Sequence, residues 1–299
     1  MNTSHFLQLI VLSALWGGSF LFIRLAVPDL GPVWLVWLRV LAGALFLLGA
    51  AALWRRRLQF SGNVQHFLIL GVMNTALPFV LFSIAAKSLT ASLLSIINST
   101  APLWGVLFGV LLTRQTPGVK TLAGLAAGST GVAILVLRDA SLNLHGDWQP
   151  ILAAVLAPVC YGLSSHYARL RTGHIEPFAV AHGSMWGAFT WCLPALWFVP
   201  IPAGGDFLSI PSGTWWAALA LGILCTGLAY LIYFRLVRDI GAASALTVTF
   251  LIPLFGILWG ALFLNEPITF NTVLGAGFVL VGTSLVTGFN PINLVRRRA

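Results

Sequence analysis

Runs of about twenty apolar residues occupy almost the whole chain, with only short segments between them. An α-helix of about twenty apolar residues crosses the hydrocarbon core of a bilayer, which is about 30 Å thick. Hydrophobic residues make up 59% of the chain and charged residues 8%, a composition outside the range of soluble globular proteins. We therefore predict an all-α integral membrane protein with ten transmembrane helices, at residues 6–26, 33–53, 65–86, 90–112, 118–137, 149–170, 177–199, 214–236, 242–264 and 270–289.

The basic residues are distributed unevenly between the two sides of this predicted topology. Cytoplasmic loops of membrane proteins carry an excess of Lys and Arg. With the N-terminus in the cytoplasm, twelve of the sixteen basic residues lie on that side: Arg55, Arg56, Arg57, Arg114, Lys120, Arg169, Arg171, Arg235, Arg238, Arg296, Arg297 and Arg298. Arg24, Lys87 and Arg138 lie on the outer side, and Arg39 lies within a span. This predicts a multi-pass protein of the bacterial inner (plasma) membrane with both termini cytoplasmic, and it explains the net charge of +9 without nucleic-acid binding.

The chain matches itself at a constant offset. An offset of 151 residues aligns Lys87 with Arg238, Ala91 with Ala242, Pro102 with Pro253, Gly105 with Gly256, Gly109 with Gly260, Gly124 with Gly275 and Gly131 with Gly282. Upstream an offset of 145 aligns Gly17 with Gly162, Ser19 with Ser164, Arg24 with Arg169 and Pro32 with Pro177. The sequence therefore predicts two five-helix repeats, at residues 1–140 and 141–299.

An odd number of helices in each repeat has a consequence for orientation. The second repeat must enter the membrane from the opposite side, so the two repeats are predicted to be inverted around a central cavity. Inverted repeats of this kind exchange conformations in secondary transporters, which closes one side of a central site while the other opens. The pattern predicts transport by alternating access.

Three stretches resemble a known family over essentially the whole chain. "ALWGGSFLFIRLA" and "GPVWLVWLRVLAGALFLL" are similar to the first two helices of the EamA-type permeases of the drug/metabolite transporter superfamily, and "LNEPITFNTVLGAGFVLVGTSLV" resembles their last turn and helix. The resemblance implies a basket of ten helices and export of small metabolites, with amino-acid exporters of the YddG type most similar in length and organisation. The first repeat has "TRQTP" where the second has "NEP", so we assign Glu266 no duplicated role.

Polar and aromatic residues near the membrane midplane are the candidates for substrate contact. If the family's central cavity carries over, it lies between helices one, three, four, six, eight and nine, with Trp16 and Ser19 facing Tyr161 and Ser164. The candidate substrate-binding residues are Trp16, Ser19, Asn74, Phe79, Phe82, Asn98, Trp104, Tyr161, Ser164, Tyr230, Tyr233 and Thr249. Aromatic and other neutral amino acids suit such a cavity through stacking and cation–π contacts. The alternative for each aromatic is core filling or lipid contact, and for each amide an interhelical hydrogen bond.

Three further residues are candidates for a hinge or gate. Pro102 and Pro253 are predicted near the middles of helices four and nine, where a missing N–H permits a kink, either mobile or static. Arg39 is predicted about two turns inside helix two, so it must snorkel to the surface or find carbonyl partners. It serves either as a structural anchor or as a gate or contact for a substrate carboxylate.

The acidic residues restrict the energy coupling. Asp29, Asp139, Asp147, Glu176, Asp206, Asp239 and Glu266 all fall in loops or at helix ends. Proton-coupled carriers commonly use an intramembrane carboxylate as a relay. The sequence predicts either facilitated diffusion or coupling through another group.

Other classes of function lack their signatures. The chain has no HExxH, paired aspartates or cysteine spacing typical of a metal or catalytic site, so we expect neither an enzyme nor a cofactor nor a metal. The expected partners are a small-molecule substrate and the lipid bilayer, with no nucleic acid. Glycines spaced by three or four form smooth helix faces, which serve either packing within a monomer or a weak homodimer. The alternatives are an importer or exporter of another amphipathic solute or drug, a lipid scramblase and a non-transporting scaffold.

Overall fold

A computed structural model of the chain describes residues 3–113, 117–138, 148–241, 245 and 247–287, and within them the regular elements are helices. In chain order the α-helices are α1 (Thr3–Leu53), α2 (Val64–Leu70), α3 (Leu77–Ala85), α4 (Ala91–Asn98), α5 (Ala101–Thr113), α6 (Val119–Arg138), α7 (Gln149–Arg171), α8 (Pro177–Ala195), α9 (Ser212–Gly222), α10 (Ala229–Ile240), α11 (Val248–Leu264) and α12 (Phe270–Thr287). Short 3-10 segments cover Leu196–Phe198 and Pro202–Gly205, and π-helical segments join α2 to α3 and α9 to α10.

Six helical stretches among the described residues are long and apolar enough to cross a membrane: Ser4–Leu53, Val64–Ala85, Ala91–Leu112, Gln149–Arg171, Ser212–Ile240 and Phe270–Thr287. Two shorter apolar helices, Val119–Leu135 and Val248–Leu264, accompany them. The prediction of an all-helical membrane protein is confirmed.

Helix α1 is long enough for two crossings. Its 51 residues would measure about 77 Å at 1.5 Å per residue, more than twice the thickness of the hydrocarbon core. The helix is interrupted at Gly31, which has φ 71° and ψ 164°. Only glycine adopts this conformation without strain. Gly31 therefore separates a first arm, which carries Trp16, from a second arm, which carries Arg39.

Several predicted limits differ from the observed ones. The helix predicted at 177–199 ends at Ala195 and continues as the 3-10 turn, because Pro200 and Pro202 follow and a proline cannot continue a helix. The helix predicted at 242–264 is described from Val248. Arg114, Asp139, Asp147, Ala242, Arg296, Arg297, Arg298, the side chain of Arg138 and the boundary between the predicted repeats lie outside the described residues.

Glycines bring α6 and α12 into close contact. A Cβ atom at Gly124 would meet the carbonyl oxygen of Gly282, and one at Gly131 would meet the carbonyl oxygen of Gly275. Small residues allow helix backbones to approach in a membrane, where dispersion contacts drive association. These glycine faces therefore pack against each other within the chain.

A second pair of glycine contacts joins helices farther apart in sequence. A Cβ atom at Gly17 of α1 would meet the backbone of Gly256 in α11, and one at Gly162 of α7 would meet the backbone of Gly105 in α5. Gly17 and Gly162 are aligned by the offset of 145 residues, and Gly105 and Gly256 by the offset of 151. Positions that the two offsets align therefore make corresponding contacts in the two halves of the chain.

The helix pair α4–α5 is broken, whereas α11 is continuous. Ser99 and Thr100 separate α4 from α5, and their hydroxyls donate to the carbonyls of Ile96 and Ile97 at 2.7 and 2.6 Å. Pro102 follows as the second residue of α5, where its missing N–H is tolerated. Pro102 lies near the middle of the apolar stretch Ala91–Leu112, where we predicted it, and the break directly before it makes it the second residue of α5.

At the aligned positions of α11 the chain has Phe250 and Leu251, which lack hydroxyls, and the helix runs through Pro253. Serine and threonine side chains compete with the helical backbone for hydrogen bonds. The hydroxyls at the break account for the difference between the two proline-containing stretches.

The two π-helical segments cover Gly71–Ala76 and Ile223–Leu228. A Cβ atom at Gly71 would meet the backbone of Gly187 and Ala188, and one at Gly222, directly before the second segment, would meet the Arg39 carbonyl. π-bulges are rare and occur frequently at functional sites. Both segments lie against the residues described next.

Candidate functional site

An aromatic cluster joins the first arm of α1 to α10. The Trp16 ring lies 6.4 Å from that of Tyr230, at 77°, and 5.5 Å from that of Tyr233, at 44°. Tyr230 also stacks on Phe234, with ring centroids 5.7 Å apart. Edge-to-face and offset arrangements are the favourable ones for aromatic pairs. Tyrosine hydroxyls make this apolar surface weakly polar.

Arg39 lies beside this cluster, with 6% of its surface exposed. Its guanidinium carbon is 3.5 Å from the centroid of the Phe79 ring, and its Nε donates to the Thr226 hydroxyl at 3.0 Å. Tyr161 and Tyr230 pack against the hydrophobic cluster that contains Phe79. Arg39 neither snorkels to the surface nor pairs with the backbone carbonyls we had expected, because the Phe79 face and the Thr226 hydroxyl receive its guanidinium.

The second π-helical segment places the hydroxyl that receives Arg39. Thr226 donates its own hydroxyl proton to the carbonyl of Leu221 at 2.9 Å, five residues back. That bond directs an oxygen lone pair toward the Arg39 Nε. Thr226 is buried, so the bond between the two side chains is shielded from solvent.

The carboxylates of the described residues are engaged elsewhere. Their partners are Thr214 for Asp29, Arg56 for Glu176, the Leu208 N–H for Asp206, Arg238 for Asp239, and Ala91 and Ser92 for Glu266. Within the described chain Arg39 therefore has no carboxylate partner. A buried cation without a counter-ion is costly and marks a functional site in membrane proteins.

Two aligned serines, Ser19 on α1 and Ser164 on α7, differ in their hydrogen bonds. Ser164 donates to the Asn74 Oδ1 at 2.9 Å, whereas the buried Ser19 hydroxyl has no hydrogen-bond partner in the described structure. That Trp16 and Ser19 face Tyr161 and Ser164 stays a prediction. The structure shows Trp16 against Tyr230 and Tyr233 of α10, and Ser164 against Asn74 of the first π-helical segment.

The remaining aromatic candidates extend the cluster across α3 and α7. Phe82 packs edge-on against Phe20 at 5.3 Å and lies 6.5 Å from Tyr161. The structure thus brings ten of the candidates into one region: Trp16, Ser19, Arg39, Asn74, Phe79, Phe82, Tyr161, Ser164, Tyr230 and Tyr233.

The other candidates lie on α4, α5 and α11. Asn98 ends α4, Pro102 and Trp104 lie in α5, and Thr249 and Pro253 lie in α11. A cavity of about 360 Å³ opens between α4, α5, α6 and α7. Of the candidate residues only Trp104 is in its lining, so the cavity and the Arg39 cluster are different places.

At one end of the bundle a buried carboxylate ties α4 to the segment between α11 and α12. Glu266, 8% exposed, accepts hydrogen bonds from the backbone N–H groups of Ala91 and Ser92 at 2.7 and 3.0 Å and from the Ser92 hydroxyl at 2.8 Å. Carboxylates are favourable at helix N-termini because free N–H groups and the helix dipole meet there. Arg24 donates to the Leu89 carbonyl at the same end.

Comparison with known families decides the class of protein. The sequence profile of the EamA-like transporter family matches residues 4–137 and again residues 148–288. The chain belongs to the EamA-like transporter family. As an EamA-like transporter it is a multi-pass membrane transporter, which the resemblance of its first, second and last helices had predicted.

Relatives of this EamA-like transporter are similar along their whole length. An uncharacterized transporter of Archaeoglobus fulgidus is 26% identical, with 96% of this chain and 98% of the relative covered. The uncharacterized transporter YoaV of Bacillus subtilis is 22% identical over 94% of this chain and 96% of its own. A protein crystal structure with 18% sequence identity covers 100% of this chain and 99% of that chain with a TM-score of 0.64, so the two share a fold.

Two residues of this EamA-like transporter were missed at the site. Thr226 gave no signal beyond its alignment with Thr75 at an offset of 151, and its bond to Arg39 spans 187 residues. Glu266 was recognised only in the "NEP" turn. Among the described residues no three His, Cys, Asp or Glu side chains come together as metal ligands do.

Proposed function

We propose that this EamA-like transporter exports small metabolites that carry a carboxylate and an apolar or aromatic side chain, chiefly aromatic and other neutral amino acids, as an exporter of the YddG type. The observation that carries the proposal is Arg39. It is a buried guanidinium above the Phe79 ring, bonded to the Thr226 hydroxyl and without a carboxylate partner in the described chain.

A substrate carboxylate supplies the anionic partner that Arg39 lacks among the described residues. Arginine presents several N–H donors in a planar fork, and Thr226 accepts from its Nε, which leaves the terminal nitrogens for a ligand. Charge-assisted bonds from guanidinium to carboxylate are about twice as strong as neutral hydrogen bonds. The binding of an anionic group here offsets the desolvation of the buried cation.

The aromatic surfaces beside Arg39 suit the rest of an amino acid. Trp16, Tyr161 and Tyr230 present ring faces and hydroxyls within the same region. An ammonium group binds to such faces through cation–π contact, and an apolar side chain stacks on them. Affinity then comes from one charged contact and from burial, which favours zwitterions with a neutral side chain.

For the architecture we propose ten membrane spans in two inverted five-helix repeats, residues 1–140 and 141–299, around the central cluster. The two separate profile matches support this division. The glycine contacts support it as well. Gly124 aligns with Gly275 and Gly131 aligns with Gly282, so the Gly124–Gly282 contact and the Gly131–Gly275 contact correspond to each other.

Transport in this proposal proceeds by alternating access. The ties from Glu266 to α4 and from Arg24 to Leu89 hold one end of the bundle together. In the topology with cytoplasmic termini in a bacterial inner membrane, this end faces outward. These ties must break for the cluster to open outward, and Pro102 and Pro253 lie on the helices that carry the change.

The proposal includes no intramembrane carboxylate relay. The carboxylates of the described residues lie near helix ends or in connecting segments and are bonded there, as given above. We propose facilitated diffusion through a monomer, because the glycine faces of α6 and α12 are occupied by each other.

The test is uptake of a panel of labelled amino acids into proteoliposomes, with and without an imposed proton gradient. Trp16→Ala and Asn98→Ala are compared with wild type, and Leu122→Ala, at an exposed position of α6, serves as the matched control. Gradient-independent uptake that Trp16→Ala abolishes and Leu122→Ala retains is expected. Uptake of no amino acid would overturn the substrate class, and lipid flip-flop in the same vesicles would indicate a scramblase instead.

A further inference from the structure

The cavity between α4, α5, α6 and α7 lies apart from the Arg39 cluster and measures about 360 Å³. Its walls belong to the apolar stretches Ala91–Leu112 and Val119–Leu135, which places it at the depth of the hydrocarbon core. Helix α6 packs chiefly against α12 and only lightly against α5. The cavity is the gap that this arrangement leaves between consecutive helices.

The cavity offers water almost no partners. Its walls are formed mainly by Ile97, Leu103, Trp104, Leu107, Leu125 and Val132. The Thr100 hydroxyl donates to the Ile97 carbonyl at 2.6 Å, and the other polar side-chain groups of the lining are the Ser129 hydroxyl and the Trp104 indole N–H. Apolar cavities in proteins bind apolar ligands. The lining therefore favours an apolar occupant.

The membrane side of the cavity is open to hydrocarbon. Ser129 belongs to the lining and is itself exposed, and Leu122 on the same helix is 52% exposed. At this depth the solvent in contact with an exposed side chain is the acyl chains of the bilayer. An unfilled gap forfeits the dispersion contacts of its walls, and a flexible chain recovers them.

We propose that this cavity binds one acyl chain of a membrane phospholipid. The chain enters past Ser129 and packs against Trp104 and the break between α4 and α5. The apolar walls, the bonded Thr100 hydroxyl and the opening at hydrocarbon depth favour an apolar ligand. The site is independent of the transported substrate and of Arg39.

The sequence restricts this site to one half of the chain. At the offset of 151 residues Gly128 and Ser129 of the cavity align with Val279 and Leu280 of α12. Val279 packs against Gly131 of α6. Within the described residues, the lipid site therefore accompanies the broken helix pair α4–α5.

The experiment is photocrosslinking of the protein in phosphatidylcholine liposomes. The phosphatidylcholine carries a diazirine in the middle of one acyl chain. Labelled peptides are identified by mass spectrometry. Val132→Phe and Val155→Phe fill the cavity from opposite walls, on α6 and α7. Val281→Phe is the matched control, because Val281 is 55% exposed on α12. Thermal unfolding in detergent verifies that each variant is folded.

In wild type and Val281→Phe we expect label on the α5 peptide that contains Leu107, and we expect this label to be lost in both filled variants. Label on the exposed face around Leu122 should persist in all four proteins. Absence of α5 label in wild type, or its persistence in both filled variants, would overturn the proposal. If only one filled variant retains the fold, loss of its α5 label supports the proposal and persistence of that label overturns it.

Discussion

The two π-helical segments have similar backbones and different chemistry. Thr75 and Thr226 are aligned by the offset of 151 residues, and both are buried. Thr226 accepts a hydrogen bond from Arg39, whereas the Thr75 hydroxyl has no hydrogen-bond partner in the described structure. The position aligned with Arg39 by the offset of 145 holds Ser184, whose hydroxyl donates to the Ala181 carbonyl.

This difference distinguishes the residues that let the helices pack from the residue that we propose to bind substrate. Two aligned glycines, Gly71 at the start of the first segment and Gly222 directly before the second, allow close helix approach in both halves. Among the described residues, only the second segment has a buried arginine, Arg39, bonded to its threonine. A pair of segments that both served packing would tolerate neutral side chains in both, so the charge at one of them points to a ligand. The predictions below alter one segment and use the other as its control.

The largest effect is expected for Arg39→Met. Removal of a buried, hydrogen-bonded charge from its counter-ion costs about 2–5 kcal/mol of binding, which corresponds to a loss of uptake of about 1.5 to 3.5 orders of magnitude. The same change removes an unpaired buried cation, so the thermal unfolding temperature should rise. Uptake and unfolding are measured on the same preparation.

A structural anchor would behave in the opposite way. If Arg39 only held α1 against α9 and α10, Arg39→Met would lower the unfolding temperature, and uptake would fall in proportion to folded protein. Ser184→Ala, at the aligned position, is the control and should leave both quantities near their wild-type values.

A second effect extends the comparison to the ends of the two halves. Glu266 aligns with Gln115 at the offset of 151, so Glu266→Gln gives the second half the residue of the first. The amide replaces one acceptor oxygen by a donor that faces N–H groups, and the loss is expected to be about 1–3 kcal/mol of stability.

Loosening this end should also favour its opening. A cysteine introduced at Ser88, next to the tie, should react faster with a membrane-impermeant maleimide in Glu266→Gln than in the unaltered background. An equal rate in both backgrounds would show that Glu266 does not hold this end closed. Glu176→Gln, at the other end of the bundle, is the control for loss of a carboxylate.

A third effect compares the two aligned threonines directly. Thr226→Val removes the acceptor of Arg39 and keeps the shape, which should lower uptake about tenfold through a loss of about 1–2 kcal/mol. Thr75→Val removes a hydroxyl without a partner and should be neutral or stabilising. Equal losses of uptake in the two variants would contradict the assignment of different roles.

The smallest effect is expected at the serines. Ser164→Ala removes the hydrogen bond to Asn74 and should reduce uptake several-fold, since one neutral bond contributes about 0.5–1.5 kcal/mol. Ser19→Ala should reduce it less, because the Ser19 hydroxyl has no hydrogen-bond partner in the described structure. A larger loss of uptake for Ser19→Ala than for Ser164→Ala would contradict this order.

The membrane helices were largely predictable from sequence. The predicted spans 65–86 and 149–170 match the apolar stretches Val64–Ala85 and Gln149–Arg171 within one residue at each end. Apolar length is set by the bilayer and is independent of tertiary contacts. The glycine spacings predicted close helix packing for the same reason, because a helix face is fixed by local periodicity.

The interior of the site was not predictable to the same degree. A π-helical segment shifts the side chains that follow it and has no hydrophobic period of its own. The partner of Arg39 lies on a helix 187 residues away, and its choice depends on that shift. The break before Pro102 depended on Ser99 and Thr100, whose hydroxyls compete with the backbone.

The central claim is that Arg39 binds a substrate carboxylate, and calorimetric titration of purified protein tests it most directly. Phenylalanine and phenylalanine amide, which differ in the carboxylate, are titrated into wild type and Arg39→Gln. We predict that wild type binds the acid more tightly than the amide, and that Arg39→Gln binds the two equally. Equal binding of acid and amide to wild type, or a preference for the acid that survives in Arg39→Gln, would contradict the account.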